Sequence, residues 1–555
     1  MESKSISQLP HKSFSSSWGR YEFICSYQLS LIVFYFSVSQ IWKLPFIAYL
    51  NGRVAFFVPY ILVLIVVILP GSYLEMLMGQ IAKKGTIQSW NKLMPIWKGL
   101  GYVQVMMLIV SAIFMAPLTG YALYYFMVAL ITKPRSNPPW NSCSNSWNTQ
   151  YCRTTYQFCS RNIIENSSSL HTALPTTTTA SYQNCINPGQ LVRMPELEYW
   201  YFQVLNINSS GIGGIVPWQV VCLCTAWGLV AITIFLGLSS FRRVAYVIFS
   251  LSVAAIAILL VVALSLPASP NAKFQFFNES SILPLSRPAT WAAALAEAIF
   301  SFSIASGCLA HLGSRNKANT NHLWHSLISI IAIAMFALAS CQMVITFVSY
   351  IASQLNVPIT QVITLGVNLA YVAFPTLSRL TVTGRVTLIV FYALIILVCI
   401  SKMAIFTEVA FDAIFEEIPD GYLKRYKVLW RIGFIAVLNC IGLIYTTRGG
   451  LRFIEATDEA VALVQTLLII FQYAGLAFLF SWVFFGISLA IFIGFIIYQV
   501  FYKYRQNKIG AITPHGNLNM DVGFIHYMSM NVDSVLDSAE TYHLKLVYSD
   551  TASKI

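Results

Sequence analysis

The chain has 555 residues, of which 57% are hydrophobic and only 10% charged, with a mean hydropathy of +0.67. Soluble domains carry about 25% charged residues, so a water-facing globular fold is excluded and an all-α polytopic membrane protein is expected. The net charge of +13 falls in short clusters between apolar runs. It therefore reads as a topology signal rather than a surface for nucleic acid, and no basic-aromatic groove accompanies it.

Residues 1–21 form a polar leader bearing Lys4, Lys12 and Arg20, without a short apolar core and small-residue cleavage site. The first span is therefore its own targeting signal. Apolar segments follow at 26–50, 54–79, 99–131, 216–237, 244–266, 289–312, 325–352, 385–415 and 429–446. Each approaches or exceeds the roughly 20 residues that cross a bilayer. From 463 to 500 no residue is charged, and at about 1.5 Å per residue this covers nearly two bilayer thicknesses. It reads as two spans joined near Ser481–Gly486, with one long tilted helix as the alternative. About 11 spans are expected in a transmembrane domain over 22–505, within a range of about 10 to 12. A polar tail fills 506–555.

The basic clusters agree with this count. Lys83, Lys84, Lys92 and Lys98, then Arg242 and Arg243, then Lys424, Arg425, Lys427 and Arg431, then Lys503, Arg505 and Lys508 all fall on one side if the N-terminus is cytoplasmic. With 12 spans the C-terminus is cytoplasmic too. The polar stretch within 133–215 then lies outside, with Cys143, Cys152, Cys159 and Cys185 among the 11 cysteines. Glycosylation sequons at Asn166, Asn208 and Asn278 fall on the same side. The segment 358–384, with Pro358, Gly366, Pro375 and Gly384, reads as an outer loop of short helices capping a vestibule.

Charges inside spans mark candidate sites, because lipid makes them costly. Lys43, two residues before Pro45, interrupts the first span and predicts a broken helix whose unpaired amides and carbonyls can bind a solute or an ion. The sixth span carries Ser301–Gly307, rich in small residues, with Glu297 one turn before and His311 one turn after. The eighth carries Lys402, with Glu408 six residues on. A buried ammonium there is a fixed charge, a proton exchanger, or the structural partner of Glu297, Glu408 or another acid. Glu455, Asp458 and Glu459 are placed to pair with Lys43 across a vestibule. No nucleophile-base-acid set suggests an enzyme.

These residues carry a resemblance to the neurotransmitter:sodium symporter family. Gln40-Ile41-Trp42-Lys43-Leu44-Pro45-Phe46 resembles its Asn-Val-Trp-Arg-Phe-Pro-Tyr signature. Asn51-Gly52, Pro59-Tyr60, Glu75-Met76-Leu77-Met78-Gly79-Gln80, Pro139-Trp140-Asn141, Glu198-Tyr199-Trp200, Ser314-Arg315-Asn316-Lys317, Glu416-Glu417-Ile418-Pro419 and Thr447-Arg448-Gly449-Gly450 extend the match over roughly 18–460. The resemblance implies two inverted five-helix repeats, spans 1 and 6 broken around a midplane site, and 11 or 12 spans in the plasma membrane. It implies a disulfide between Cys143 and Cys152, and an outer gate of Lys43 and Asp458. Its solute cavity would be lined by Ser37, Met115, Phe302, Ser303 and Val398.

Sodium and chloride are the coupling ions the resemblance implies, and here the chain departs from the pattern. The sodium-binding Asn is Gln40, the small-residue run of span 1 is Val33–Ser39 with Tyr35 inside it, and the span-7 Asn aligns with Ile333, which offers no oxygen. Ser301 is retained. At the second sodium position the span-8 pair aligns with Ser401 and Lys402, so an ammonium stands where a cation would bind and is expected to bridge spans 1 and 8 itself. At the chloride position Tyr60 and Ser301 remain, while Glu297 and Ala337 replace a Gln and a Ser. The expected function is a secondary transporter of a small amine, amino acid or osmolyte, with altered or lost ion coupling. The alternative is a transport-inactive receptor or trafficking partner. The substrate and oligomeric state are open.

Overall fold

The computed structural model describes residues 24–473 except 94, 133–136, 155–192, 208–212, 269–272, 279, 317–319, 356, 364–365 and 420–424. Helix dominates throughout. Span 1 is Ile24–Tyr35 followed by Ser39–Trp42 and Leu44–Leu50, bent by 52° at 36–38. The break thus precedes the expected position at 43–45, because Pro45 lies in the first turn of Leu44–Leu50, where its missing N–H removes no intrahelical bond. Span 2 is Arg53–Ala82, span 3 Lys98–Ile131, span 5 Leu238–Ser265, span 7 His322–Leu355, span 8 Gly384–Glu417 and span 9 Lys427–Thr446. Span 4 is Pro217–Thr233, span 6 is Pro288–Phe302 plus Cys308–Ser314, and span 10 begins with Gly450–Tyr473. A broken helix thus opens each set of five. The turn expected near Ser481–Gly486 and the final span lie outside the described residues, as do the leader, the tail, Asn166 and Asn208.

Spans 3 and 8 run antiparallel through the centre, each 34 residues long. At one end the Lys98 ammonium is 2.7 Å from Glu417, and at the other Arg385 Nε donates to the Ala129 carbonyl at 2.8 Å. These contacts define a lysine-rich end and a disulfide end. At the disulfide end Cys143 and Cys152 are bonded, Thr149 N–H donates to Glu198 Oε2 at 2.8 Å and Arg379 pairs with buried Glu196 at 3.0 Å. Burial pushes the Glu196 carboxyl up against the opposing pull of Arg379. The loop expected at 358–384 forms the short helices Ile359–Val362 and Phe374–Leu380. Between them Tyr371 stacks on Trp200 with ring centroids 4.8 Å apart, and its hydroxyl donates to the Leu118 carbonyl of span 3. Asn278 is exposed.

Spans 2 and 6 approach backbone to backbone. A Cβ at Gly79 would meet the Ala310 main chain, and one at Gly313 would meet the Met76 main chain, the close crossing that small residues permit in a membrane. Gly79→Ala is therefore expected to lower the melting temperature of the solubilised protein, with an overpacking cost of about 1–3 kcal/mol. Gly228→Ala, whose Cβ would enter open space, serves as the control and should leave the melting temperature unchanged.

Candidate functional site

Both broken helices meet the central spans, and in each the freed backbone groups are paired by side chains. In span 6 the chain takes left-handed conformations at Ser303 (φ 50°), Ala305 (φ 61°) and Gly307 (φ 82°), which ends the first half-helix at Phe302. Glu75 Oε2 accepts the Ala305 N–H at 2.9 Å. Gln104 Nε2 donates to the Ala305 carbonyl at 2.8 Å while its own oxygen accepts Trp90 Nε1–H. Thr86 Oγ1 donates to the Gly307 carbonyl. Gln465 Nε2 donates to the carbonyls of Ile299 and Ile304 at 2.9 and 3.3 Å. Sequence reading missed Gln104, Thr86 and Gln465, because none is an oddity in its own segment.

In span 1 the Gln40 amide folds back on its own break. Its oxygen accepts the Ser37 N–H and its nitrogen donates to the Tyr35 carbonyl, each at 3.2 Å. The extra methylene relative to Asn is what lets one side chain reach both groups. Nearby, Glu297 Oε1 accepts hydrogen bonds from Ser39 Oγ at 2.6 Å and Ser301 Oγ at 2.8 Å, so the carboxylate ties the two breaks together. Its other oxygen and the Tyr60 hydroxyl have no hydrogen-bond partner among the described residues. Ile333 and Ala337 are fully buried and offer only carbon.

Lys402 is 2% exposed, and its ammonium donates to the Ser301 carbonyl at 2.5 Å. The rings of Phe34 and Phe406 lie 5.5 and 5.9 Å from the nitrogen, within the range of cation–π attraction. Lys402 of span 8 thus meets span 1 through the face of Phe34, and its hydrogen bond goes to span 6. Glu408 does not pair with Lys402: Arg431 of span 9 holds both its oxygens at 2.8 and 2.9 Å. Among the described residues no carboxylate lies within 4.0 Å of the Lys402 nitrogen.

Of the oxygens expected at the first sodium position, that of Tyr35 receives the Gln40 amide, that of Gln40 receives Ser37 N–H, and the Ser301 carbonyl receives Lys402. The Ser301 hydroxyl is spent on Glu297. Ser401 donates back to the Val398 carbonyl. Each of these oxygens is thus engaged in a hydrogen bond within the chain.

The gate residues do meet. Lys43 Nζ is 3.3 Å from Asp458 Oδ2, with the side chains 27% and 33% exposed, and it lies 4.9 Å from the centre of the Phe300 ring. The expected cavity residues Ser37, Met115, Phe302, Ser303 and Val398 are all buried, and the Tyr35 and Phe302 rings tilt together at 4.9 Å.

Comparison with known proteins agrees with this geometry. The profile of the sodium:neurotransmitter symporter family matches residues 18–530. The sodium- and chloride-dependent GABA transporter 2 of Rattus norvegicus is 27% identical over 437 residues, covering 78% of this chain and 68% of its own. The Homo sapiens protein of the same name is 26% identical over 438 residues, with the same coverage of 78% and 68%. In fold, the crystal structure of MhsT in complex with L-phenylalanine superposes with a TM-score of 0.55 at 14% identity, covering 86% of this chain and 99% of that one. The chain is a multi-pass membrane protein that belongs to the sodium:neurotransmitter symporter family.

Proposed function

We propose that this protein moves a small amine, amino acid or osmolyte across the plasma membrane by alternating access, with its sodium and chloride coupling altered or lost. The observation that carries the reading is the Lys402 ammonium on the Ser301 carbonyl. A sodium ion sharing that oxygen would sit about 4 Å from the ammonium, where like unit charges repel by about 4 kcal/mol at an effective dielectric of 20. That is roughly a thousandfold in affinity. Glu297 supplies a fixed negative charge near Tyr60 and Ser301, so a chloride there meets repulsion as well. Family membership supports transport, and the GABA named for the relatives supports an amino acid as solute.

In this reading Ser37, Met115, Phe302, Ser303 and Val398 enclose the solute, and Lys43 with Asp458 closes above it. A half-exposed ion pair is worth about 0–1 kcal/mol, weak enough to break in every cycle. The disulfide end faces outward and the lysine-rich end faces the cytoplasm, together with the N-terminus. A second reading, a transport-inactive receptor or trafficking partner, is favoured by one observation: the ring of Tyr35, in the span-1 run where the family has small residues, packs on that of Phe302.

In proteoliposomes of the purified chain, uptake of radiolabelled GABA, glycine or betaine is expected to change little when N-methylglucamine replaces sodium. Steep sodium dependence with a Hill coefficient near two would contradict this. Absence of uptake for all three by well-folded protein would favour the second reading. Lys402→Ser is expected to create sodium dependence or abolish uptake, and unchanged sodium-independent uptake in that variant would rule out the surrogate role. Lys43→Gln should accelerate efflux of preloaded solute while leaving the melting temperature nearly unchanged; an equal rate in variant and wild type would remove Lys43 from the gate.

A further inference from the structure

His311 lies on the short helix Cys308–Ser314 that follows the break in span 6, and it is fully buried. Its Nε2 is 3.5 Å from Asp412 Oδ2 of span 8, and neither ring nitrogen has a hydrogen-bond partner among the described residues. Asp412 is already crowded by cations: Arg315 Nη2 approaches at 3.3 Å and Lys427 of span 9 at 2.7 Å. Arg315 also reaches Glu416 at 3.7 Å, and Arg431 holds Glu408. Among the described residues, Glu408, Asp412 and Glu416 meet Arg315, Lys427 and Arg431 in ion pairs, and Lys84 also acts on Glu416, so this cluster leaves no carboxylate without a cation while His311 is neutral.

Of the other ionisable groups on the elements packed here, Lys84 acts on Glu416, and the rest meet different partners. Glu75 of span 2 accepts Ala305 N–H, Lys83 donates to the Asn316 carbonyl, and Lys92 of the helix Thr86–Leu93 donates to the Ala82 carbonyl. Lys98 pairs with Glu417, and His322 of span 7 meets the Tyr27 hydroxyl. Within this set Asp412 is the acid that His311 meets within ion-pair distance.

We propose that His311 is a proton-binding site that keeps the lysine-rich end closed when neutral and favours its opening when protonated. A proton on His311 adds a positive charge where each described carboxylate already has a cation, away from water. An uncompensated buried charge costs several kcal/mol, and the cost is relieved when spans 6, 8 and 9 part and admit water. Proton binding and opening are thus linked, since the state that takes up the proton more readily is populated as pH falls. A histidine in water titrates near 6.5. Lowering the pH from about 7.5 to about 5.5 therefore raises the ratio of open to closed molecules by about tenfold if only the open state is protonated. The proton enters and leaves at the imidazole nitrogen beside Asp412, and no other chemistry is required. The inference uses neither the solute nor Lys402, so it stands or falls apart from the transport reading.

The test is hydrogen–deuterium exchange of the full chain in lipid nanodiscs at pH 7.5 and 5.5, corrected for the intrinsic rate, over peptides covering 308–316 and 405–417. Wild type is expected to show about tenfold more opening at the lower pH, while peptides around Tyr125 and Tyr371 at the disulfide end stay protected. His311→Gln should lose the pH effect and remain protected at both values. Asp412→Asn, which removes a carboxylate from the cluster, should be open at both. Equal protection of wild type at the two pH values, or a pH effect that persists in His311→Gln, would overturn the proposal. If Asp412→Asn fails to fold, the comparison of wild type with His311→Gln still decides. Uptake assays that failed for every solute would leave this result unaffected.

Discussion

A lysine ammonium buried where a helix stops needs a lone pair, and a helix that stops needs a donor for its last carbonyls. Lys402 and Ser301 meet both needs in one contact. Outside a membrane the ammonium would find water and the carbonyl would find almost anything. Inside one, the desolvation cost of an ammonium amounts to several kcal/mol, so its position is fixed by the few acceptors that helical backbone leaves free. The breaks in spans 1 and 6 provide those acceptors, and Gln40 has claimed the one at Tyr35. Lys402 donates to the Ser301 carbonyl, with two aromatic faces alongside.

The rest of the centre follows from that constraint. Glu297 cannot stay ionised in lipid without donors, and the hydroxyls of Ser39 and Ser301 converge on one of its oxygens. Ser301 therefore carries a cation on its carbonyl and an anion on its hydroxyl, and a dipole of fixed charges stands where the family places mobile ions. Both groups belong to the chain, whereas a coupling ion would come from solution.

Much of the fold was legible because the membrane imposes coarse rules. The length of the apolar runs, the small-residue run at 301–307 and the short-helix loop at 358–384 all correspond to observed elements, and span 1 is broken as expected but at 36–38 rather than at 43–45. The Lys43–Asp458 pair and the Cys143–Cys152 bond came from motif resemblance, and both are seen in the structure. What was not legible depends on side-chain reach between segments far apart in sequence. Nothing local marks Gln465 as the cap of span 6, or Ser39 as a donor to Glu297 258 residues away. The resemblance set Lys402 at an ion position beside span 1, where Phe34 does face it, but only geometry shows that its hydrogen bond goes to Ser301 of span 6. Arg431 likewise satisfies Glu408, which along the sequence looked like a partner for Lys402.

The central claim is that protein donors have taken the oxygens a sodium ion would need. Equilibrium binding of radioactive sodium to the purified chain in lipid tests it without knowledge of the solute. The account predicts no saturable binding by wild type across the millimolar range. Saturable, stoichiometric binding by wild type would show that an ion coexists with the Lys402 ammonium, and would contradict the account.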